Sequence, residues 1–94
     1  MKLTKIPIKN TKQIISRSVE ESIILINVNN KDACSLEDFN LCVWKKINGK
    51  RNINEIIRSL SEEFNVVTKK LKEHTIRTIN KLKRTEFIDF KAED

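Results

Sequence analysis

The first third of the chain alternates between apolar and polar positions in three short runs. Residues 14–19 (IISRSV) alternate in part, residues 22–28 (SIILINV) are rich in β-branched side chains, and residues 32–36 (DACSL) form the third run. Such runs are typical of β-strands. Turn-forming residues separate them, with Glu20-Glu21 in the first gap and Asn29-Asn30-Lys31 in the second. The pattern predicts a three-stranded antiparallel meander whose middle strand, apolar on both faces, has a neighbour on each side.

The period of the pattern changes after residue 36. Ser35 and Asp38 have the spacing of a capping box ahead of an apolar run that ends at Ile47. Because the apolar side chains of that run would cover most of a helix, this helix is expected to be central and buried. Gly49 follows it, at a position suited to the left-handed conformation that closes helices.

Two more helices are predicted in the second half of the chain. Asn52 and Glu55 repeat the cap spacing, and apolar residues then recur at helical intervals. The last helix is expected from about Thr68 to Arg84. Its predicted core stripe consists of Leu71, Thr75, Thr78, Ile79 and Leu82. A final apolar run at 87–90 indicates a strand or an extended tail, so the element order is that of an α+β domain.

The length of 94 residues is enough for one small domain. We expect residues 1–11 to form a flexible or edge-strand arm, residues 12–90 the folded domain, and residues 91–94 a tail. No apolar run approaches the roughly 18 residues that a membrane helix needs. The N-terminal residues do not have the pattern of a signal peptide, and two cysteines are few for a secreted domain of this size. These features favour a cytoplasmic protein.

The net charge of +6 comes from one segment of the chain. Residues 66–85 contain seven basic residues and one acidic residue, whereas the rest of the chain carries twelve of each sign. An acidic partner for this segment is therefore the first functional hint.

The composition leaves little material for catalysis. The chain has one histidine and one glycine, so histidine-based nucleophile systems and phosphate-binding glycine loops are not expected. Cys34 and Cys42 are separated by seven residues with no histidine nearby, and a structural zinc site needs four ligands. We therefore expect free thiols and no catalytic residue, metal or cofactor.

The third strand is a candidate binding edge. In a meander it has one neighbour, so its other edge is free, and alternation would turn Cys34 and Leu36 inward and Ala33 and Ser35 outward. Small outward side chains leave the backbone accessible to an extended peptide, which can bind by strand addition. The alternative is an edge that Lys31 and Asp32 merely protect against aggregation.

The last helix carries basic residues on both sides of its core stripe. One flank has Lys70, His74, Arg77 and Lys81, and the other has Lys69, Lys72, Ile76 and Lys83. A solvated basic face is the simple explanation. A groove along one flank is the functional one, and the sequence leaves open which flank that is.

Taken in order, several motifs resemble the PqqD-like family, the peptide-recognition domains of ribosomal peptide-modification pathways. DACSL at 32–36, VW at 43–44 and INGKRNINEI at 47–56 are similar to that family's Ser-Leu, Ile-Trp and Asp-Gly-to-Ile signature. Further matches are Leu60, Phe64, Thr75, Ile79, Leu82, Phe87 and Ile88. The sequence departs from the family at Glu86, where glycine is frequent, and at His74 and Thr75, where an acid and an aliphatic residue are frequent.

The resemblance implies a winged helix-turn-helix-like domain of three strands followed by three helices. It also implies a function, the non-catalytic binding of a precursor's leader peptide as a strand added to the third strand, in a groove against the last helix. The partner would be a modifying enzyme, such as a radical SAM enzyme or a leader peptidase.

On this hypothesis the peptide-binding residues are Lys31, Asp32, Ala33, Cys34, Ser35, Lys70, Leu71, His74, Ile76, Arg77 and Lys81. The backbone of 31–35 would pair with the leader, Leu71 or Ile76 would line an apolar pocket, and the basic side chains would meet leader carboxylates. The alternative is a winged helix-turn-helix DNA-binding regulator that uses the basic helix. The free edge also permits a homodimer.

Overall fold

The computed structural model describes residues 2–66 and 68–91. Its elements are β1 (Pro7–Lys9), β2 (Ile14–Val19), β3 (Ser22–Asn27), β4 (Ala33–Leu36), α1 (Asp38–Lys46), α2 (Ile53–Phe64), α3 (Lys69–Arg84) and β5 (Ile88–Phe90). Of the expected tail at 91–94, residues 92–94 lie outside the described residues. None of the described helices has the length and apolar character needed to cross a membrane.

Strands β2, β3 and β4 form one antiparallel sheet in that order. The register places Ile26 between Ile15 and Ala33, and Leu25 opposite Cys34. Leu25 on the central strand is fully buried, whereas its neighbour Ile26 is exposed. The predicted meander is confirmed, and one face of its sheet lies against the helices.

The three helices begin in different ways. Asn52 starts α2 with both bonds of the predicted capping box, one to the Glu55 N–H and one from its own N–H to the Glu55 carboxylate. Thr68 caps α3 by accepting from the Leu71 N–H. The capping box expected from Ser35 is wrong. Ser35 lies in β4, where it pairs with Ile24 of β3, and α1 begins after Glu37 without a side-chain cap.

The core lies between the inner face of the sheet and the helices. All five residues of the predicted α3 stripe, Leu71, Thr75, Thr78, Ile79 and Leu82, are buried. From α1 the buried side chains are Leu41, Val43 and Trp44, and from α2 they are Ile53, Ile56 and Leu60. Phe64, at the end of α2, remains exposed. Amphipathic spacing at 3.6 residues per turn therefore accounts for the packing of α2 and α3.

The N-terminal residues pack onto the domain as a second small sheet. Strand β1 pairs antiparallel with β5, with Pro7 opposite Phe90. The N–H groups of Ile53 and Asn54, at the start of α2, donate to carbonyls in the segment that precedes β1. The Lys9 Nζ lies 4.6 Å from the centre of the Trp44 ring, and burial lowers the pKa of this lysine. These contacts hold β1 against β5 and beside the helices.

Candidate functional site

Strand β4 has a free edge. Among the described residues it pairs only with β3. The Asn27 N–H donates to the Asp32 carbonyl, and hydrogen-bonded pairs alternate along an antiparallel ladder, so Leu25 and Cys34 form the next bonded pair. The backbone N–H and C=O groups of Ala33 and Ser35 consequently point away from β3 and toward the open side.

A groove of about 180 Å³ lies beside this edge. Helix α1 packs against both β4 and α3, and the groove opens between those two elements. Its lining residues are Cys34, Ser35, Leu36, Asn40, His74, Arg77, Thr78, Lys81, Leu82 and Thr85. Leu36 and Leu82 are buried core residues, so the groove combines an apolar floor with polar and basic walls.

A hydrogen-bond network fixes one wall of the groove. The Oδ1 atom of Asn40 on α1 accepts from the Thr78 hydroxyl at 2.9 Å and lies 3.1 Å from Nε2 of His74. The His74 ring also stacks on Phe39, with 4.5 Å between ring centres. These contacts join α1 to α3, so the position of the α3 flank relative to β4 is set by several partners at once.

The basic side chains of this flank are available for a ligand. Two lysines elsewhere on α3 form ion pairs: Lys69 with Glu73 of the same helix, and Lys83 with Asp89 of β5. Within residues 2–66 and 68–91, neither Arg77 nor Lys81 has a carboxylate within 4.0 Å. Unpaired cations beside an apolar floor favour an acidic or amphipathic ligand.

The Cys34 thiol lies at the inner side of the edge strand. Burial raises the pKa of this thiol, and the nearby Lys81 ammonium opposes that effect. Both Cys34 and Cys42 are free thiols. Within the part of the chain that the structure describes, no three histidine, cysteine, aspartate or glutamate side chains are grouped so that they could hold a metal ion.

One buried asparagine joins the end of β3 to the residues that follow α3. The Asn27 side chain donates to the Glu86 carbonyl at 2.9 Å and accepts from the N–H groups of Asn29 and Asn30. Glu86 itself has a φ of 65°. A Schellman motif ends α3 here, because the Phe87 N–H donates to the Leu82 carbonyl and the Glu86 N–H donates to the Lys83 carbonyl. The backbone at Glu86 is therefore left-handed, a conformation that glycine adopts without strain.

The structure brings together five of the residues singled out in the sequence: Cys34, Ser35, His74, Arg77 and Lys81 all line the groove. This places the 70/74/77/81 flank of α3, and not the 69/72/76/83 flank, beside β4. Lys70 is exposed one turn before His74 on the same flank. Ala33 is exposed next to the groove on β4.

The other residues singled out in the sequence lie elsewhere. Lys31 and Asp32 lie in the turn before β4, where their N–H groups already donate to Asn27 and Asn30. Leu71 is buried in the core, and Ile76 is half-buried against the core without lining the groove. Neither side chain lines the groove, whose apolar floor consists of Leu36 and Leu82.

Sequence reasoning missed three polar residues of the groove, namely Asn40, Thr78 and Thr85. Thr78 was assigned only to the core stripe, and Thr85 was given no role. Asn40 is a polar residue between Phe39 and Leu41, inside the run predicted to form a buried helix, and that contrast was an available signal.

Three antiparallel strands in one sheet and three helices confirm the predicted α+β class. The structure is similar to a solved structure titled "TbiB1 in Complex with the TbiA(beta) Leader Peptide", with a TM-score of 0.75 and 14% identity, over 92% of this chain and 100% of that one. At this identity the similarity concerns the fold.

The sequence model of the family described as Coenzyme PQQ synthesis protein D (PqqD) matches residues 23–88. The chain belongs to the PqqD family, and the resemblance inferred from its motifs is confirmed. Among curated proteins, no sequence matches it significantly.

Proposed function

We propose that this domain binds the leader segment of a ribosomally made precursor peptide and does no chemistry on it. The observation that carries the proposal is the groove between the free edge of β4 and the His74, Arg77 and Lys81 flank of α3. Membership of the PqqD family and the shared fold with a protein solved in complex with a leader peptide support it.

Binding would proceed by strand addition. The leader lies along β4 and exchanges backbone hydrogen bonds with the N–H and C=O groups of Ala33 and Ser35. Lys31 and Asp32 contribute no N–H donor to this ladder, because both N–H groups already donate within the turn. Main-chain bonds give affinity with little sequence preference, so the selection of one leader depends on its side chains.

Leader side chains facing α3 recur at every second residue, about 6.8 Å apart. One apolar side chain fits over Leu36 and Leu82, and a neighbouring carboxylate reaches Arg77 or Lys81. An ion pair at the rim of a partly apolar groove is less solvated than one on an open surface, which makes the charge a determinant of specificity. The expected leader motif is therefore an aliphatic or aromatic residue two positions from an acidic one.

The domain would then present the leader to a modifying enzyme, such as a radical SAM enzyme or a leader peptidase. Holding the leader raises the effective concentration of the attached core peptide at that enzyme without any new contact to the core.

Calorimetric titration with a synthetic leader, taken from a small open reading frame beside the gene, tests this proposal. Arg77→Glu should weaken binding roughly 10- to 100-fold, since it replaces a charge-assisted contact with repulsion. Lys72→Glu is the matched control, with the same change in net charge on the opposite, exposed flank, and it should change affinity by less than about threefold. Equal effects of the two variants would contradict recognition in the groove.

The same variants separate leader binding from the DNA-binding alternative. A regulator would bind duplex DNA with an affinity that falls steeply with salt, and Lys72→Glu would weaken it as much as Arg77→Glu. A leader-binding domain should not shift DNA at physiological salt. Tight, salt-sensitive DNA binding without leader binding would replace the proposed function by the regulator.

A further inference from the structure

The outer face of the sheet, on the side away from the helices, is apolar and uncovered. We define this outer face as Ile15, Val19, Ile24, Ile26 and Val28, whose exposed fractions lie between 37% and 56%. The register sets Ile15 beside Ile26, and Ile24 of β3 and Val28, just after it, flank Ile26 on the same face. Arg17, opposite Ile24, separates Ile15 from Val19 on β2. Ala33 and Ser35 of β4 extend the patch with small side chains.

An exposed apolar patch of this kind indicates a surface that binds another molecule. Single exposed apolar residues are ordinary, but contiguous ones on a small domain mark an interaction surface. Strand β3 is apolar on both faces, a pattern typical of sheets that are covered on both sides. The helices cover the inner face, and the leader groove lies at the edge of β4, so neither accounts for the outer face.

We propose that the outer face binds the outer face of a second copy of this chain. The distribution of charge over the chain supports a second copy as the partner. The excess of positive charge lies in residues 66–85, mainly on α3 in the helical layer behind the sheet, so two copies meeting through their sheets keep those helices apart. The rest of the chain carries equal numbers of each sign and does not repel a second copy.

The ends of the outer face are complementary to each other. Glu20 and Glu21 occupy the turn between β2 and β3, and Lys12 and Lys31 lie at the opposite end. Asp32 follows Lys31 there, and the Glu86 carboxylate, beyond the end of α3, accepts a hydrogen bond from the Asn30 side chain. In an antiparallel stack about a two-fold axis perpendicular to the strands, the acidic turn of each copy meets the basic end of the other. Arg17 lies on the edge strand β2, so its guanidinium can reach solvent at the rim.

The size of the face sets the strength of the dimer. Three strands of six residues or fewer span roughly 14 by 20 Å, about 300 Å² per copy. Since stable interfaces bury about 1,200 Å² or more in total, we expect a weak dimer with a dissociation constant near roughly 0.1 mM. Both β4 edges and both grooves remain open in this arrangement, so the dimer does not depend on the proposed function.

Sedimentation equilibrium from about 10 µM to about 1 mM tests this interface, because that range brackets the expected dissociation constant. Ile26→Lys should weaken self-association at least about tenfold. Val66→Lys, which changes an equally exposed apolar residue away from the sheet, should leave it unchanged. Leader titration of Ile26→Lys should still show wild-type affinity, which separates this interface from the groove.

A pair of charge variants keeps the test decisive if Ile26→Lys folds poorly. The variant Glu20→Lys/Glu21→Lys and the variant Lys12→Glu/Lys31→Glu should each self-associate more weakly than the wild type. An equimolar mixture should regain association, because both contacts of the two-fold pair are then complementary again. A monomer at all concentrations, no effect of Ile26→Lys, no recovery in the mixture, or a modifying enzyme that binds this face of a monomer would overturn the proposal.

Discussion

Asn27→Ala is the substitution expected to damage the fold most through a single polar group. Asn27 is fully buried at the end of β3, and its side chain makes three hydrogen bonds. The bond to the Glu86 carbonyl joins two segments that are 59 residues apart. Alanine removes all three bonds and leaves the space of the amide empty.

The magnitude follows from the partners that remain. Each lost bond costs about 1 kcal/mol net, and a buried group left without a partner costs more. The Glu86 carbonyl keeps a bond from the Asn10 side chain, and the amides of Asn29 and Asn30 lie in an exposed turn where water can replace the lost acceptor. We therefore expect a loss of about 2–3 kcal/mol in the free energy of unfolding, or roughly 10–20 °C in Tm for a domain of this size.

The matched control is Asn30→Ala. Asn30 also makes three side-chain hydrogen bonds, to Thr85, to Glu86 and from the Asp32 N–H, but its side chain is exposed. The substitution Asn30→Ala should lower the free energy of unfolding by less than about 1 kcal/mol. Urea unfolding followed by circular dichroism gives both values. Equal losses for the two variants would refute the argument that burial makes the Asn27 bonds decisive.

Three further predictions concern single residues. Glu86→Gly should raise the free energy of unfolding by about 0.5–1 kcal/mol in urea unfolding, because glycine adopts the left-handed backbone without strain; an unchanged or lower stability would contradict this. Asn52→Ala should lower it by about 1 kcal/mol through loss of the α2 cap, measured in the same way. Burial raises the pKa of the Cys34 thiol, so at pH 8 iodoacetamide should modify it more slowly in the folded domain than in the urea-unfolded chain, as read by peptide mass spectrometry. Bound leader should slow Cys34 further and leave Cys42 unchanged; equal protection of both would argue against binding at β4.

The raised Cys34 pKa also fixes the sign of a pH effect. The folded state retains the thiol proton to higher pH than the unfolded chain does, so the stabilising contribution is present below the ordinary thiol pKa. It is lost as pH rises above that value. Stability should therefore decline in mildly alkaline solution, and Cys34→Ala should reduce this decline in urea titrations.

The parts of the fold that depend on local pattern could be predicted from the sequence. The capping box of Asn52 and the α3 stripe from Leu71 to Leu82 are properties of residues three or four apart, and both were predicted. The start of α1 was not, because Ser35 fits a capping box by spacing but is held in β4 by its pairing with Ile24. Sheet pairing is a long-range contact that local spacing does not encode.

In the candidate site too, features that follow from local pattern could be predicted, and features that depend on long-range contacts could not. The free edge of β4 and the unbalanced charge of α3 could be predicted from alternation and composition. The side of α3 that faces β4 could not, because it depends on the contacts of Asn40 with His74 and Thr78 between two helices. The roles expected of Leu71 and Ile76 also depend on how α3 is rotated against the core.

Amide hydrogen exchange by NMR, with and without the synthetic leader, tests the central claim most directly. In the free domain the N–H groups of Ala33 and Ser35 face the open edge, whereas that of Cys34 faces Leu25 within the sheet. Strand addition predicts that the leader slows exchange at Ala33 and Ser35 by roughly tenfold or more, with little change at Cys34. Saturating leader binding that leaves exchange at Ala33 and Ser35 unchanged would contradict recognition by β4.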